Sequence, residues 1–283
     1  MPRELRNLAK KTALSLVYKL PPFPQKINGK LTWVHPRARF SFSTKTFFEG
    51  EAHVRNWIIE HLKPGNVLFD VGAHHGWVSM WALPVVGEEG AVYSFEPSPV
   101  NLAILEWHRN INRFSQWIIV PNAVSDEDAV EMQFFLIDSG DSPMNSLTTG
   151  FPGMPQMEGR EIEKISIQTI TLDAFCQEVG VRPNLMKIDV EGAELLALRG
   201  ARKLLSESHP AIILAVHPYW LPSGQSTSQI LELLEANSYT VFDSHGSRVK
   251  SLHSGEYLCL NAKVEASSTF ARSEIGQLVM DRS

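Results

Sequence analysis

Cysteine is scarce in this chain. Only Cys176 and Cys259 occur among 283 residues, both inside apolar stretches, so neither a disulfide framework nor zinc-type spacing is available. Buried free thiols fit a reducing compartment, and a cytoplasmic chain is expected. Long apolar runs are missing too, since none reaches the roughly 20 residues that cross a bilayer. There is no excess of positive charge: 31 acidic residues against 26 basic ones give a formal net charge of −5. That excludes the basic face a nucleic-acid partner normally needs. Two phosphate-cradling motifs fail as well. No Gly-Lys-Ser/Thr follows a glycine loop, which removes the P-loop. The loop beginning at Gly72 has His74 and Trp77 where the dinucleotide fingerprint needs its second and third glycines, and such bulk blocks pyrophosphate. No internal repeat is visible.

What remains is a globular composition, with 43% hydrophobic and 20% charged residues, in a chain long enough for one large domain with additions. Residues 1–50 read as an N-terminal extension. Its first twenty residues carry Arg3, Arg6, Lys10, Lys11 and Lys19 interleaved with Leu5, Leu8, Leu16 and Leu20. Lys19 interrupts any signal-peptide core. Membrane-surface contact through residues 1–20 is an open reading, but an ordinary solvated helix is the favoured one. Pro21-Pro-Phe-Pro24 ends it, and residues 31–48, with Phe40 and Phe42 alternating, read as a short strand or two.

Residues 51–264 read as the main domain. Val67-Leu68-Phe69 is a central strand, followed by the glycine loop and a helix over about 77–86. A second strand, Ala91–Phe95, ends in Glu96, twenty-six positions beyond Asp70. Further strands are expected at Trp117–Val120, Asn184–Asp189, Ala211–Val216, Thr240–Phe242 and Tyr257–Leu260. Helices are expected from Pro99, over Leu172–Val179, over Glu191–Leu205, and after the Ser226-Thr-Ser-Gln229 capping box. Val130–Ile137 and Glu161–Ile170 look like a paired hairpin. The Gly/Pro/Ser/Met-rich stretch between them, 138–159, is a candidate lid over the acceptor, with Met144, Met154 and Met157 as an adaptable lining. Residues 265–283 form a polar tail. Strand–helix alternation of this kind implies an α/β fold, a doubly wound, mostly parallel sheet carrying a β-hairpin insertion.

Ligands on such sheets bind where the strands end. Asp70, Glu96, Asn122 to Val124, Asp189, Glu191 and His217 all fall there. An acid at the tip of the second strand suits both hydroxyls of a ribose. The loop Asp-x-Gly-x-x-x-Gly suits a nucleoside without phosphate, with Gly72 and Gly76 allowing close backbone approach and Asp70 serving an amino group. S-adenosylmethionine combines those parts.

Asp70-Val-Gly-Ala-His-His-Gly76, Ser94-Phe-Glu-Pro-Ser98, Asn122-Ala-Val-Ser-Asp126, Thr171-Leu-Asp173 and Lys187-Ile-Asp-Val-Glu-Gly-Ala-Glu194 resemble the FkbM-type S-adenosylmethionine-dependent methyltransferases over about residues 50–220. The resemblance implies a class I methyltransferase, Rossmann-like, that methylates a hydroxyl, often of a sugar, polyketide or similar metabolite. By position, Asp70, Gly72, Ala73, His74 and Gly76 would contact the methionine tail and ribose. Glu96 would take the ribose hydroxyls, and Asn122, Ala123 and Val124 would line the adenine. One departure stands out: family members often carry Glu two residues before the His-Pro pair, where this chain has Ala215.

An alcohol is a poor nucleophile, so a general base helps. Asp189, Glu191 and His217 are the candidates, His217 because free imidazole titrates nearest neutrality, Asp189 because of its family position. The same trio has metal-ligating chemistry, and a divalent metal is weighed but not assigned. His74 and His75 are read as shaping the loop, Trp77 and Trp81 as core. The acceptor is expected to be a small molecule or glycan. The competing readings are nitrogen methylation and a cofactor-binding module without catalysis.

Overall fold

Alternating apolar runs produce the doubly wound sheet that the sequence predicts. A computed structural model of the chain describes residues 20–41, 51–138, 140, 142–148 and 160–262. An N-terminal hairpin pairs β1 (Phe23–Ile27) with β2 (Lys30–Val34), and two helices follow, α1 (Pro36–Ser41) and α2 (Ala52–His61). Next come β3 (Val67–Val71), α3 (Trp77–Val86), β4 (Ala91–Phe95), α4 (Pro99–Asn112) and β5 (Trp117–Val120). The short β6 (Ala123–Val124) joins the hairpin of β7 (Glu131–Ile137) and β8 (Ile162–Ile170) in a separate sheet ordered β6-β8-β7. The chain continues through α5 (Leu172–Val179), β9 (Leu185–Ile188), α6 (Glu194–Arg199), β10 (Ala211–Val216), α7 (Thr227–Ala236), β11 (Tyr239–Phe242) and β12 (Gly255–Asn261).

The main sheet has seven strands in the order β11-β12-β10-β9-β3-β4-β5. Five run parallel from β10 to β5. The last strand in sequence, β12, lies between β10 and β11, antiparallel to both. Period-two alternation splits the core. Phe69, Phe95, Met186, Ile188, Ile212 and Leu214 face one side, while Leu68, Val92, Leu185 and Ile213 face the other. On the first side α5 brings Phe175 edge-on to Phe69, Tyr93 and Phe95, with ring centroids 5.0–5.6 Å apart, the arrangement that aromatic quadrupoles favour. On the second, Trp77, Trp81 and Trp117 are buried, as core tryptophans should be.

Two expectations need correction. The strands expected within 31–48 lie at 23–34, and Pro36 starts a helix, because proline at the first helical position is preorganised for it. Phe40 falls in that helix, and Phe42 lies outside the described residues. The helix expected over Glu191–Leu205 is only Glu194–Arg199, followed by a wide turn at Leu204–Ser208. Glu191 and Gly192 sit at φ 48° and 98°, outside right-handed helical space. Leu195, Leu198 and Leu205 are nonetheless buried as expected. The helix expected at residues 1–19, the tail, and residues 149–159 of the proposed lid lie outside the described residues. The capping box at Ser226 and Gln229 is formed in both directions. No helix among the described residues is long and apolar enough to cross a membrane.

Candidate active site

The loop after β3 is built on the end of β4. Gly72 and Ala73 both donate backbone N–H groups to the Phe95 carbonyl, at 3.0 and 3.1 Å, and His74 N–H donates to Glu96 Oε2 at 2.8 Å. Gly72, His74 and Gly76 all hold positive φ. Packing gives the glycines a reason beyond the one expected. A Cβ on Gly72 would lie 1.8 Å from the Asp189 carbonyl oxygen, and one on Gly76 would meet Leu105 and Trp117 at 2.6–2.7 Å. Glycine here lets two loops and the helix layer close on one another. His75 is fully buried and stacks on His74, with ring centroids 3.8 Å apart.

Both carboxylates read from the first two strands are buried. Glu96 accepts from His74 N–H through Oε2 and from Ser98 N–H through Oε1, at 2.8 and 2.9 Å. Burial nevertheless pushes its carboxyl up to about 7, against the pull of those two amides. The Asn101 side chain adds a third hydrogen bond to the carboxylate, which leaves it little acceptor capacity. Asp70 is more committed than its expected place at the strand tip implied. Its Oδ2 accepts from Ser79 N–H and from the Ser79 hydroxyl, which neutralises the positive end of α3. Behind it, Trp117 Nε1 donates to Ser94 Oγ at 2.7 Å, and Ser94 Oγ meets Ser79 Oγ at 2.6 Å. The ionised Asp70 can only accept, so the single Ser79 hydroxyl proton goes to it and Ser94 donates to Ser79. Burial pushes Asp70 up to about 6.

The second loop, after β9, is assembled by one short run of sequence. Lys187, fully buried, donates to Asp189 Oδ2 at 3.0 Å and lies 3.8 Å from Glu256 Oε1. Burial alone would lower the lysine, but Asp189, Glu256 and Glu51 raise it above its ordinary range. Asp189 is in turn held below its usual range: burial works to raise it, and Lys187 and then His217 outweigh that. Gly192 at φ 98° packs on the Trp220 carbonyl, where a Cβ would sit 2.2 Å away. Glu194, fully buried, accepts from Gly192 N–H at 3.0 Å and meets His217 Nδ1 at 2.7 Å. His217 Nε2 then faces Asp189 Oδ1 and Glu191 Oε1, 3.7 Å from each. Burial would lower His217, yet the Glu194 bond and the Asp189 and Glu191 charges push it up to about 9. The expectation that His217 titrates nearest neutrality is therefore corrected; Glu191, pushed up to about 7 chiefly by burial, holds that place.

Two openings result. A narrow cleft of about 50 Å³, well below the usual size of a ligand pocket, is lined by Glu96, Asn122, Ala123 and Val124, with Phe95 and Phe134 as apolar walls. A wider cavity is lined by Asp70, Ala73, Glu191 and His217, with Glu51 and Glu256 beyond them. Gly72, His74, Asp189 and Pro143 border both. Gly76 borders neither; it sits at the start of α3. Several residues went unread in the sequence. Asn101 lines the narrow cleft, fully buried, with Oδ1 lacking a partner. Ser142, Asn145 and Leu147, from the 138–159 stretch, close it. Ser146 Oγ donates to the Glu191 carbonyl at 2.6 Å, and Thr148 Oγ1 to the Trp220 carbonyl at 2.9 Å. Glu194 had a signal, since it ends the Lys187–Glu194 run. Ala215, the departure from the family pattern, lies directly across from Glu256 on β12, so that strand puts a carboxylate beside it.

A parallel sheet with an antiparallel strand inserted near its edge, and a cleft at the strand ends, has the class I, Rossmann-like architecture of methyltransferases. The chain belongs to the methyltransferase FkbM domain family, which matches residues 70–241, more than half of its length. It is 28% identical over 225 residues to a 31-O-demethyl-FK506 methyltransferase FkbM of Streptomyces tacrolimicus, covering 71% of this chain and 82% of that one. Among solved structures it is similar to a methyltransferase FkbM from Methylobacillus flagellatus KT, at 17% identity and TM-score 0.44, covering 73% of this chain and 50% of that one. It is also similar to Aeropyrum pernix fibrillarin with natively bound S-adenosyl-L-methionine, at 12% identity and TM-score 0.45, covering 86% and 83%.

Proposed function

We propose that this methyltransferase moves a methyl group from S-adenosylmethionine to a hydroxyl oxygen of a small metabolite, sugar or glycan. The observation that carries the reading is the junction of the two openings at Asp189, between a nucleoside-like cleft and a cavity rich in carboxylate and imidazole. The narrow cleft carries the groups that suit the cofactor's nucleoside, and at about 50 Å³ it has to widen to admit it. Glu96 would hold a ribose hydroxyl on its remaining acceptor capacity, the unpartnered Asn101 Oδ1 offers a further acceptor, and Phe95, Val124 and Phe134 suit an adenine face. When bound, the cofactor supplies a methyl on a sulfonium, which an acceptor oxygen displaces while the bonding pair stays on sulfur. The residues' part is alignment and proton removal. His217, held at Nδ1 by Glu194 and facing two carboxylates from Nε2, orients the groups of the cavity, and the hydroxyl's proton goes to a carboxylate. Asp189 is the one that borders both openings. The relative from Streptomyces is named for a 31-O-demethyl substrate, which favours oxygen as the acceptor atom. Residues 138–159 act in this reading as the lid, anchored to the Glu191 and Trp220 carbonyls by Ser146 and Thr148.

Incubation with methyl-labelled cofactor and a panel of hydroxyl and amine acceptors tests it. Label on a hydroxyl supports the reading; label confined to amines, or cofactor bound without any transfer, overturns it. Glu96→Gln is expected to weaken cofactor binding by about 10–100-fold, the worth of a hydrogen bond to a charged group. A pH signature accompanies it. Because the folded pKa of Glu96 is raised, the protonated form is favoured below about 7. Apo-protein stability from this group is therefore full below the ordinary carboxylate pKa and lost as pH rises through about 7. Cofactor binding to the ionised form runs the other way and weakens up to about tenfold for each unit below 7. Calorimetry across that range should show the slope in the natural chain and a flat response in the variant.

A further inference from the structure

We propose that Asp189, Glu191 and His217 bind one divalent cation of the manganese–magnesium type, and that this cation presents the acceptor's oxygen in the wide cavity. The second half of this rests on the function proposed above; the first half does not. One donor atom from each residue lies within 4.8 Å of the other two. The gap among them has the wrong size for direct bonding. His217 Nε2 is 3.7 Å from both Asp189 Oδ1 and Glu191 Oε1, beyond hydrogen-bond reach. A small hard cation with bonds of about 2.1 Å sets neighbouring ligand atoms about 3 Å apart, so small side-chain rotations close the set around an ion.

The support around the three donors is the stronger argument. A metal-binding imidazole normally gives its other nitrogen to a carboxylate, which fixes the ring and makes it a better ligand. Here Nδ1 lies 2.7 Å from fully buried Glu194, whose other oxygen is buried with no partner. Asp189 is held the same way: Oδ2 is taken by Lys187 Nζ at 3.0 Å, which leaves Oδ1 for the gap. The Glu191 backbone is pinned at φ 48° with its carbonyl accepting from the Ser146 hydroxyl. Each donor is thus fixed by a second contact and aimed at one point from a different direction. Charge agrees. Asp189, Glu191, Glu194 and Glu256 outnumber Lys187, so the cluster carries an excess of negative charge that a divalent ion would offset. One imidazole with two carboxylates suits manganese best, while the cavity side stays open for acceptor oxygens.

The test uses the full chain, stripped with a chelator and titrated with Mn²⁺ followed by electron paramagnetic resonance. One bound ion per chain is expected. His217→Ala and Glu191→Gln should each weaken it at least about tenfold, and Glu194→Gln, a positioning change, by about 10–100-fold. Thermal melting identifies any variant that fails to fold, and the isosteric Glu191→Gln and Glu194→Gln keep the test open in that case. No stoichiometric Mn²⁺ binding, or binding indifferent to these folded variants, overturns the site. Cofactor affinity, measured separately, should not change on chelation. Mn²⁺ binding with methyl transfer unaffected by chelator overturns the acceptor role alone. Mn²⁺ binding in a chain that transfers no methyl to any hydroxyl leaves the site standing and sinks the function proposed above.

Discussion

Asp189→Asn is expected to lower the rate of methyl transfer by about 10²–10⁴-fold, the worth of a positioned proton acceptor, while cofactor affinity moves by no more than about twofold. The separation follows from where the residue sits. Asp189 borders both openings, but it is the Glu96 carboxylate that forms the polar wall of the cofactor side. Asparagine keeps the volume and an oxygen for Lys187 Nζ, so the buried lysine is not orphaned. What it loses is the negative charge facing His217. Adding His217→Ala to this background should cost little more, because residues that act as a unit lose their effect together. Single-turnover kinetics beside a cofactor titration measures both quantities. A rate loss below about tenfold, or a parallel collapse of cofactor binding, would remove Asp189 from the chemistry.

The second large effect is on stability. Lys187→Met should lower the free energy of unfolding by about 3–5 kcal/mol, the range seen when one partner of a buried ion pair is deleted. Lys187 is fully buried in the middle of the sheet, between Asp70 on β3 and Ile213 on β10. Its ammonium answers Asp189 at 3.0 Å and Glu256 at 3.8 Å, and it draws down Glu51, which burial and Glu256 push up to about 8. Methionine has similar bulk, so packing changes little and the loss reports charge. Urea midpoints settle the value. Combining Lys187→Met with Asp189→Asn should recover part of the loss, since one stranded carboxylate is then neutral. An unchanged midpoint in the single variant would mean that the cluster does not depend on this cation.

Much of the frame was legible because its signals are local. Val67–Phe69 and Ala211–Val216 are apolar runs of strand length, and Leu172–Val179 shows helical spacing ended by Gly180, so their identities needed no tertiary information. Glu96 was legible because a strand end next to a proline leaves a carboxylate few places to go. Gly72 and Gly76 were singled out for close backbone approach to a ligand, whereas the Asp189 carbonyl that packs against Gly72 arrives from over a hundred residues away. Glu194 went unassigned because its partner, His217, belongs to the next strand unit. The reading of His217 failed for a related reason. Free imidazole titrates near neutrality, but three carboxylates converge on this ring only after folding. Glu256, opposite Ala215, was hidden because antiparallel register cannot be read from one strand alone.

The placement of β12 bears on how the molecule comes into being. Both of its neighbours, β10 and β11, leave the ribosome first, and among the described residues β11 has no other strand to pair with in the main sheet. A nascent chain halted before Gly255 would hold two unpaired strand margins, a template for self-association. It would also lack Glu256, one of the counter-charges of Lys187. The wall of the wide cavity is therefore complete only once β12 has threaded into the slot between β10 and β11.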